Sequence, residues 1–167
     1  MAFDAQFFAQ FAANYTNPLD LTTVSSPVSF SQQINFAQGS GAGQADMMWS
    51  DTRTVAASST DAIDLAGSLT GPFGTTATFA RIKGVIVRAA AGNTNNVNVV
   101  TPSSNGTPLF LAASDGIAVK PGGLFVWIDP SAGGVAVTAG TGDLLNLVNS
   151  GGGTSVTYDI YIIGASS

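Results

Sequence analysis

The first 17 residues of the chain carry an aromatic side chain at every fourth position. These side chains are Phe3, Phe7, Phe11 and Tyr15. Phe8 and Ala12 widen the stripe, while the remaining positions are mostly polar and nearly uncharged. Because residues four positions apart lie on one face of an α-helix, the pattern predicts an amphipathic N-terminal helix over residues 1–17, ending at Asn17 before Pro18. A helix of this length is only marginally stable alone, so we expect its aromatic face to dock on another surface.

The segment from Pro18 to about Ala45 has a different pattern, in which apolar residues alternate with polar ones. The apolar residues are Val28, Phe30, Ile34 and Phe36, with Gln32 interrupting them. Alternation of this kind is typical of an extended strand with one apolar face, and the glycine-rich residues 39–44 indicate a flexible hinge after it. We expect residues 1–45 to form a helix and an extended docking arm that reaches a neighbouring subunit. A first edge strand followed by a loop is the alternative.

Residues 46–167 are predicted to form a second domain of short strands separated by turn residues. The candidate strands are 52–58, 61–67, 76–91, 95–101, 107–113, 115–120, 123–129, 134–139, 143–149 and 154–164. Regularly spaced short strands with turn signals between them predict an all-β fold, an antiparallel β-sandwich or barrel. Residues 120–123 (KPGG) fit a type II turn, and a bulge at Gly84 would let both halves of residues 76–91 share one apolar face.

Candidate contact residues lie in the last predicted strand and in the segment before the first one, because both contain apolar side chains. Residues late in strand 154–164 are apolar on both faces, so we expect one face on the core and the other on a partner or on the N-terminal arm. Trp49 is expected in the core or at a subunit interface. The candidate assembly contacts of the whole chain are Phe3, Phe7, Phe8, Phe11, Tyr15, Val28, Phe30, Ile34, Phe36 and Trp49.

The amino-acid composition excludes several kinds of catalytic and metal-binding site. The chain of 167 residues contains no Cys and no His, and its ten acidic residues are all Asp. Thiolate and imidazole chemistry, zinc–thiolate sites and disulfides are therefore excluded, and we predict a non-enzymatic protein without a cofactor. A net charge of −5 argues against nucleic acid or an anionic membrane as a partner. The start of the chain lacks the cationic segment of a secretory signal, and no apolar run is long enough to span a bilayer.

Asp46, Asp51, Asp61 and Asp64 form the densest group of acids and are the best candidates for a catalytic site. Two carboxylates about 5–10 Å apart would suit glycoside hydrolysis. Asp61 and Asp64 would, however, point to opposite faces of a strand, so we expect these acids to serve turns and strand ends instead. The sequence contains no calcium-binding loop motif either, and we predict no metal site.

The C-terminal part of the chain resembles small virion proteins of tailed bacteriophages. The resemblance rests on VTAGTGDLLNLVNSGGGTSVTYDIYIIG at residues 137–164, together with KPGGLFVWIDP and ARIKGVIVRAAAGNTNNVNVV before it, and it spans about Gln44 to Gly164. These are turn-and-strand patterns that carry no catalytic signature. The resemblance implies a β-sandwich of jelly-roll type that serves as a repeated building block in the particle.

Among such proteins, a small acidic sandwich with an N-terminal arm fits a capsid decoration (cement) protein best. The resemblance implies a clamp on the outer surface of the head, a homotrimer that contacts the major capsid protein and copies of itself. Other virion proteins are further possible partners. The alternatives are a tail or head-fibre component whose sandwich binds a receptor or glycan, and a minimal Asp-based glycan hydrolase.

Overall fold

The computed structural model describes residues 2–67 and 69–167, and its regular structure consists of 14 β-strands. The strands are β1 (Asp4–Pro18), β2 (Thr23–Gln38), β3 (Gln44–Ala45), β4 (Met47–Val55), β5 (Thr60–Asp64), β6 (Leu69–Thr70), β7 (Thr76–Ala77), β8 (Arg81–Ala89), β9 (Val97–Val100), β10 (Gly116–Val119), β11 (Leu124–Ile128), β12 (Val135–Ala136), β13 (Leu144–Asn149) and β14 (Val156–Ala165). The all-β prediction is confirmed.

The predicted N-terminal helix is wrong. Residues 4–18 form strand β1, and no α-helix occurs in the described part of the chain. Met1, the first residue of that predicted helix, lies outside the described residues. The physical reason for the error is that a repeat of four is also a multiple of two, so side chains four positions apart share a face in a strand as well as in a helix.

Strands β1 and β2 form one long antiparallel hairpin, which we call the hairpin. Its pairs run without interruption from Asp4 opposite Ala37 to Pro18 opposite Thr23. The extended conformation predicted for residues 28–36 is confirmed, and the partner of this segment within the chain is β1. At its base, β2 continues into a short parallel pairing with β3.

The remainder of the chain, which we call the body, contains two main antiparallel sheets. The five-stranded sheet has the order β11-β8-β14-β4, with β12 also paired to β8, and the four-stranded sheet has the order β10-β9-β13-β5. Strands β6 and β7 form a separate small pair. The arrangement is sandwich-like because alternate residues of both sheets face a common apolar core.

Both sheets contribute to this core. From β14, the residues predicted to share one face are all buried: Val156, Tyr158, Ile160 and Ile162. The four-stranded sheet adds buried side chains from three of its strands: Ile63, Val97, Val99, Leu145 and Leu147. A bulge shifts the pairing of β8 with β14 by one residue at Lys83, next to Gly84, so that Ile82 and Val85 both reach the core. The predicted bulge is confirmed.

Two local predictions have opposite outcomes. The turn at residues 120–123 is confirmed, since Gly122 has a positive φ of 74° and the Gly123 amide donates to the Lys120 carbonyl at 2.7 Å. The strand predicted for residues 107–113 is wrong. That segment is irregular, and the nearest pairing is an isolated bridge of Gly106, just before it, with Leu144; Leu109 and Phe110 still pack against the core.

Candidate assembly surface

The register of the hairpin sorts its side chains onto two very different faces. Each odd-numbered residue of β1 lies opposite an even-numbered residue of β2, so these residues share a face. We call this the apolar face, and its side chains include Phe7, Phe11, Tyr15, Val24, Val28, Phe30, Ile34 and Phe36. The opposite, polar face consists mainly of Gln, Asn, Ser and Thr, with Phe8 as its only aromatic residue among those the structure describes.

Much of the apolar face is open to solvent. Phe11 is 57% exposed and Tyr15 is 81% exposed, and Val28 and Phe30 across from this part of β1 are more than half exposed. At the turn of the hairpin, Leu21 is almost fully exposed. Monomeric proteins rarely leave so many large apolar side chains uncovered in one patch.

The hairpin is also nearly free of charge. Its charged side chains are Asp4 at the base and Asp20 at the turn. Beyond the short pairing with β3, both of its edges lack a neighbouring strand among the described residues. Exposed strand edges in soluble proteins are commonly protected by lysines, prolines or bulges along their length. Apart from Pro18 and Pro27, the hairpin has none of these protections, because its pairing is regular and it contains no lysine.

The base of the hairpin packs against the outer surface of the five-stranded sheet. Phe36 is completely buried, and it lines a small cavity of about 90 Å³ together with Phe7 of the hairpin and with Ile86, Tyr161 and Ile163 of the sheet. Tyr161 and Ile163 belong to the outward face of β14, for which either a partner or the N-terminal arm is the expected cover. At the hairpin base, the N-terminal arm lies over this face.

A buried lysine fixes the loop that leads from the hairpin to the body. Lys83, the bulged residue of β8, donates from Nζ to the carbonyls of Ser40 at 3.0 Å and Gly41 at 2.5 Å. Burial lowers the pKa of Lys83, and the nearby Arg81 acts in the same direction. The Gly43 amide donates to the Pro130 carbonyl at 2.8 Å. The prediction of a flexible hinge at residues 39–44 is therefore wrong, because the body holds this loop in place.

The structure brings most of the predicted contact residues together and separates two of them. Phe7, Phe11, Tyr15, Val28, Phe30, Ile34 and Phe36 all belong to the apolar face. Phe3 continues the same alternation and lines a groove of about 350 Å³ beside the hairpin base, near Met48 and Phe73. Phe8 lies on the polar face, and Trp49 is buried in the body core.

Sequence reasoning missed part of the apolar face. Val24 is not among the predicted contacts, and neither are Leu19 and Leu21 at the turn, although all three are more than half exposed. For the β1 part of the face, the sequence does contain a signal for a strand: residues 3, 5, 7, 9, 11, 13 and 15 are all apolar and alternate between an aromatic residue and alanine. Reading that alternation as period two predicts a strand with one apolar face.

The acidic residues considered for catalysis are occupied by structural contacts. Asp61 accepts two hydrogen bonds from Arg53, from Nε at 2.5 Å and from Nη2 at 2.8 Å, and one from the Tyr158 hydroxyl at 2.8 Å. Arg53 also contacts Asp51 at 3.1 Å. A polar cleft of about 360 Å³ lies over this cluster. Because Asp61 belongs to the four-stranded sheet and its two donors to the five-stranded sheet, the cluster joins the two sheets.

Electrostatics in this cluster stabilise the ionised carboxylate. Burial raises the pKa of Asp61, but hydrogen bonds from Arg53 and Tyr158 outweigh burial and hold the pKa below its ordinary value. The same hydrogen bond to Asp61 raises the pKa of Arg53, while burial and then Asp61 raise that of Tyr158. A glycosidase acid needs the opposite shift, toward a raised pKa. The cluster has the chemistry of a structural ion pair.

The other two acids of the group serve backbone contacts. Asp64 accepts from the Ala66 amide at 2.9 Å in the turn after β5, and Asp46 accepts from the amide and hydroxyl of Ser166 at 2.8 and 2.6 Å. Among the described residues, no three acidic side chains converge as a metal site would require. The described chain also lacks a helix long and apolar enough to cross a membrane.

Comparison of the chain with protein-family models, with curated proteins and with solved structures gives no match.

Proposed function

We propose that this chain is a structural protein of a tailed-bacteriophage particle, a decoration protein that binds the head shell and reinforces it. The observation that carries the proposal is the hairpin, which extends a mostly uncovered apolar face from a sandwich-like body that anchors its base. A soluble monomer rarely exposes such a face, whereas a component of an assembly buries it against neighbouring subunits.

A jelly-roll connection for the body is part of this proposal, and the strand order supports it. Apart from the two-residue β12, eight strands make up the two sheets: β4 pairs with β14, β5 with β13, β8 with β11 and β9 with β10. The first strand of the body thus lies beside the last, and the second lies beside the next to last. Eight strands wound in this way into two antiparallel sheets are typical of jelly rolls, which occur in viral capsid and lectin domains.

The distribution of charge also supports a role in assembly. The acidic and basic side chains are concentrated in the body, whereas the hairpin carries only two of them. Interface centres are depleted in charged residues, and many identical weak contacts become collectively strong on a repeating shell. In the proposed particle, the protein contacts the major capsid protein and copies of itself.

The direct test is the copy number of this chain in purified particles, measured by quantitative mass spectrometry against the major capsid protein. A decoration protein is present in hundreds of copies, in a fixed ratio to the shell subunits. A dozen copies or fewer would contradict decoration and favour the tail or head-fibre component with a receptor-binding sandwich. Absence from the particle would overturn both.

A shortened hairpin tests whether this element carries the binding. Replacing residues 10–31 by Asn-Gly keeps the buried base and closes it with a two-residue turn. We expect the variant to lose binding to preformed shells in a co-sedimentation assay, while the near-ultraviolet circular dichroism of Trp49 and Trp127 stays unchanged. Binding equal to that of the unmodified protein would remove the hairpin from the mechanism.

A further inference from the structure

We propose that the apolar face of the hairpin is covered by the same face of a second copy of this chain, so that hairpins pack face to face at the centre of a homo-oligomer. This inference rests on the assembly role proposed above and names the partner of that surface.

The alternation of large and small side chains makes the apolar face complementary in shape to a second copy of itself. Along β1, the face alternates between a large residue and alanine at Phe7, Ala9, Phe11, Ala13 and Tyr15. On β1, positions with a large aromatic side chain therefore alternate with positions that carry only a methyl group. Two identical faces of this kind can interdigitate, as the faces of stacked sheets do. An isologous contact needs this kind of self-complementary patch.

The pairing of the two strands places two phenylalanines of the apolar face directly opposite each other. Phe11 lies directly opposite Phe30, whereas Ala13 lies opposite Val28 and Ala9 opposite Gln32. Phe11 and Phe30 are both more than half exposed, so this pair of rings is open to contact by another surface. A second hairpin can place its own aromatic row in the groove beside this one.

The exposed area is sufficient for a stable contact. With an aromatic side chain contributing about 200 Å², the exposed parts of Phe11, Tyr15 and Phe30 sum to on the order of 400 Å². A standard interface buries about 800 Å² per partner, and slightly more than half of that area is apolar. The exposed valines at positions 24 and 28 add to the aromatic area, so the face supplies the apolar share of one complete interface.

Charge and stability favour the same partner. Because the face carries no charge, a charged partner surface would lose the hydration of its ions without gaining an ion pair. An identical uncharged face packs against it without desolvating an ion. A two-stranded hairpin on its own is marginally stable in water. Packing against a second hairpin converts it into a two-layer structure with a core.

The decisive experiment uses the full-length protein and exploits two phenylalanines of equal exposure. Phe11 and Phe8 are both 57% exposed but belong to opposite faces of β1. By sedimentation equilibrium over a hundredfold range of concentration, we expect the unmodified protein and Phe8→Ser to be oligomeric. Phe11→Ser should shift the dissociation constant by tenfold or more towards monomer. A monomeric unmodified protein, or equal shifts in the two variants, would overturn the inference.

A second experiment does not depend on the stability of the variants. Because the chain contains no cysteine, single substitutions at the adjacent alanines of β1 introduce one thiol on each face. Under mild oxidation, Ala13→Cys on the apolar face should form intermolecular disulfides, and Ala12→Cys on the polar face should not. Cross-linking only through Ala12→Cys would contradict the proposed face. Both experiments use isolated protein, so failure to bind phage shells in the separate assay would refute decoration without affecting them.

Discussion

Arg53, Asp61 and Tyr158 link the two sheets by charge and hydrogen bonds. Asp61 receives all of its side-chain hydrogen bonds from the facing sheet. A partly buried carboxylate with this many donors contributes to stability as long as it is ionised, and its removal leaves Arg53 and Tyr158 without their acceptor. The cluster therefore fixes how the sheets lie against each other at the β4 and β5 edge.

Replacing Asp61 by Asn should lower the free energy of unfolding by about 1–3 kcal/mol at pH 7. Since the folded pKa of Asp61 lies below the unfolded value of about 3.9, its contribution is complete above that pH and is lost as the pH falls through the folded pKa. The difference between the two proteins in urea unfolding should thus stay constant from pH 7 to about pH 4 and narrow as the pH falls further. Asp64→Asn is the control, and an equal loss there would contradict the role of the cluster.

Gly84 lies in the five-stranded sheet where the hairpin base covers it, and it lines the small cavity under Phe36. A Cβ atom at this position would lie 2.8 Å from Cδ1 of Ile128 and 2.8 Å from Cγ1 of Ile163. Both isoleucines line the cavity under Phe36, so the packing there leaves no space for a methyl group.

We expect Gly84→Ala to lower the free energy of unfolding by about 1–3 kcal/mol, because the two isoleucines must move. Gly92 is the matched control, since no atom lies within 4 Å of the place that a methyl group would take there, and its substitution by Ala should change stability by less than about 1 kcal/mol. Thermal unfolding of both variants measures the contrast. Similar midpoints for the two would show that the hairpin base is loosely packed.

The hairpin shows which parts of an element can be predicted from sequence. The alternation in residues 28–36 predicts an extended segment with one apolar face, and the register confirms it. The spacing of Phe3, Phe7, Phe11 and Tyr15 fits a helix and a strand equally, and only the alanines between them favour a strand. The partner of β1 is a long-range property, because residue 4 pairs with residue 37 and local spacing carries no information on that distance.

The loop of residues 39–44 could not be predicted for a similar reason. Its composition is that of a flexible linker, yet the charged end of Lys83 lies beneath its carbonyls. That contact depends on a bulge more than forty positions later in the chain. The glycine at the bulge is recognisable in the sequence, but the direction of the lysine beside it is not.

Lys83→Met should release this loop, because the methionine fills a similar volume without donating to the carbonyls of Ser40 and Gly41. Hydrogen exchange of the amides in residues 39–44 is expected to accelerate about tenfold, which corresponds to about 1.4 kcal/mol of local stability. Lys120→Met, at an exposed position, is the control. Unchanged exchange in Lys83→Met would show that the Gly43 contact alone holds the loop.

At the scale of the whole molecule, the charged body and the uncharged hairpin respond differently to solvent. Association through the apolar face should be almost independent of sodium chloride, because no charged pair crosses the proposed interface. Sulfate should strengthen it, since this anion increases the tendency of apolar surface to be buried. Dissociation constants measured by sedimentation in the two salts test this. A tenfold weakening in sodium chloride would indicate that the charged body, and not the hairpin, forms the contact.

The connectivity of the chain also has a consequence for the order of events during synthesis. Every pairing of the hairpin joins residues within the first 38 positions, whereas the body is closed by β4 and β14, which pair Met47 with Gly164. Hairpins form in microseconds, and folds that depend on distant strand pairs form far more slowly. All residues of the hairpin therefore leave the ribosome while it is still producing the body. In the proposed face-to-face packing, hairpins of chains translated side by side on one messenger can meet and stabilise each other before either sandwich has closed.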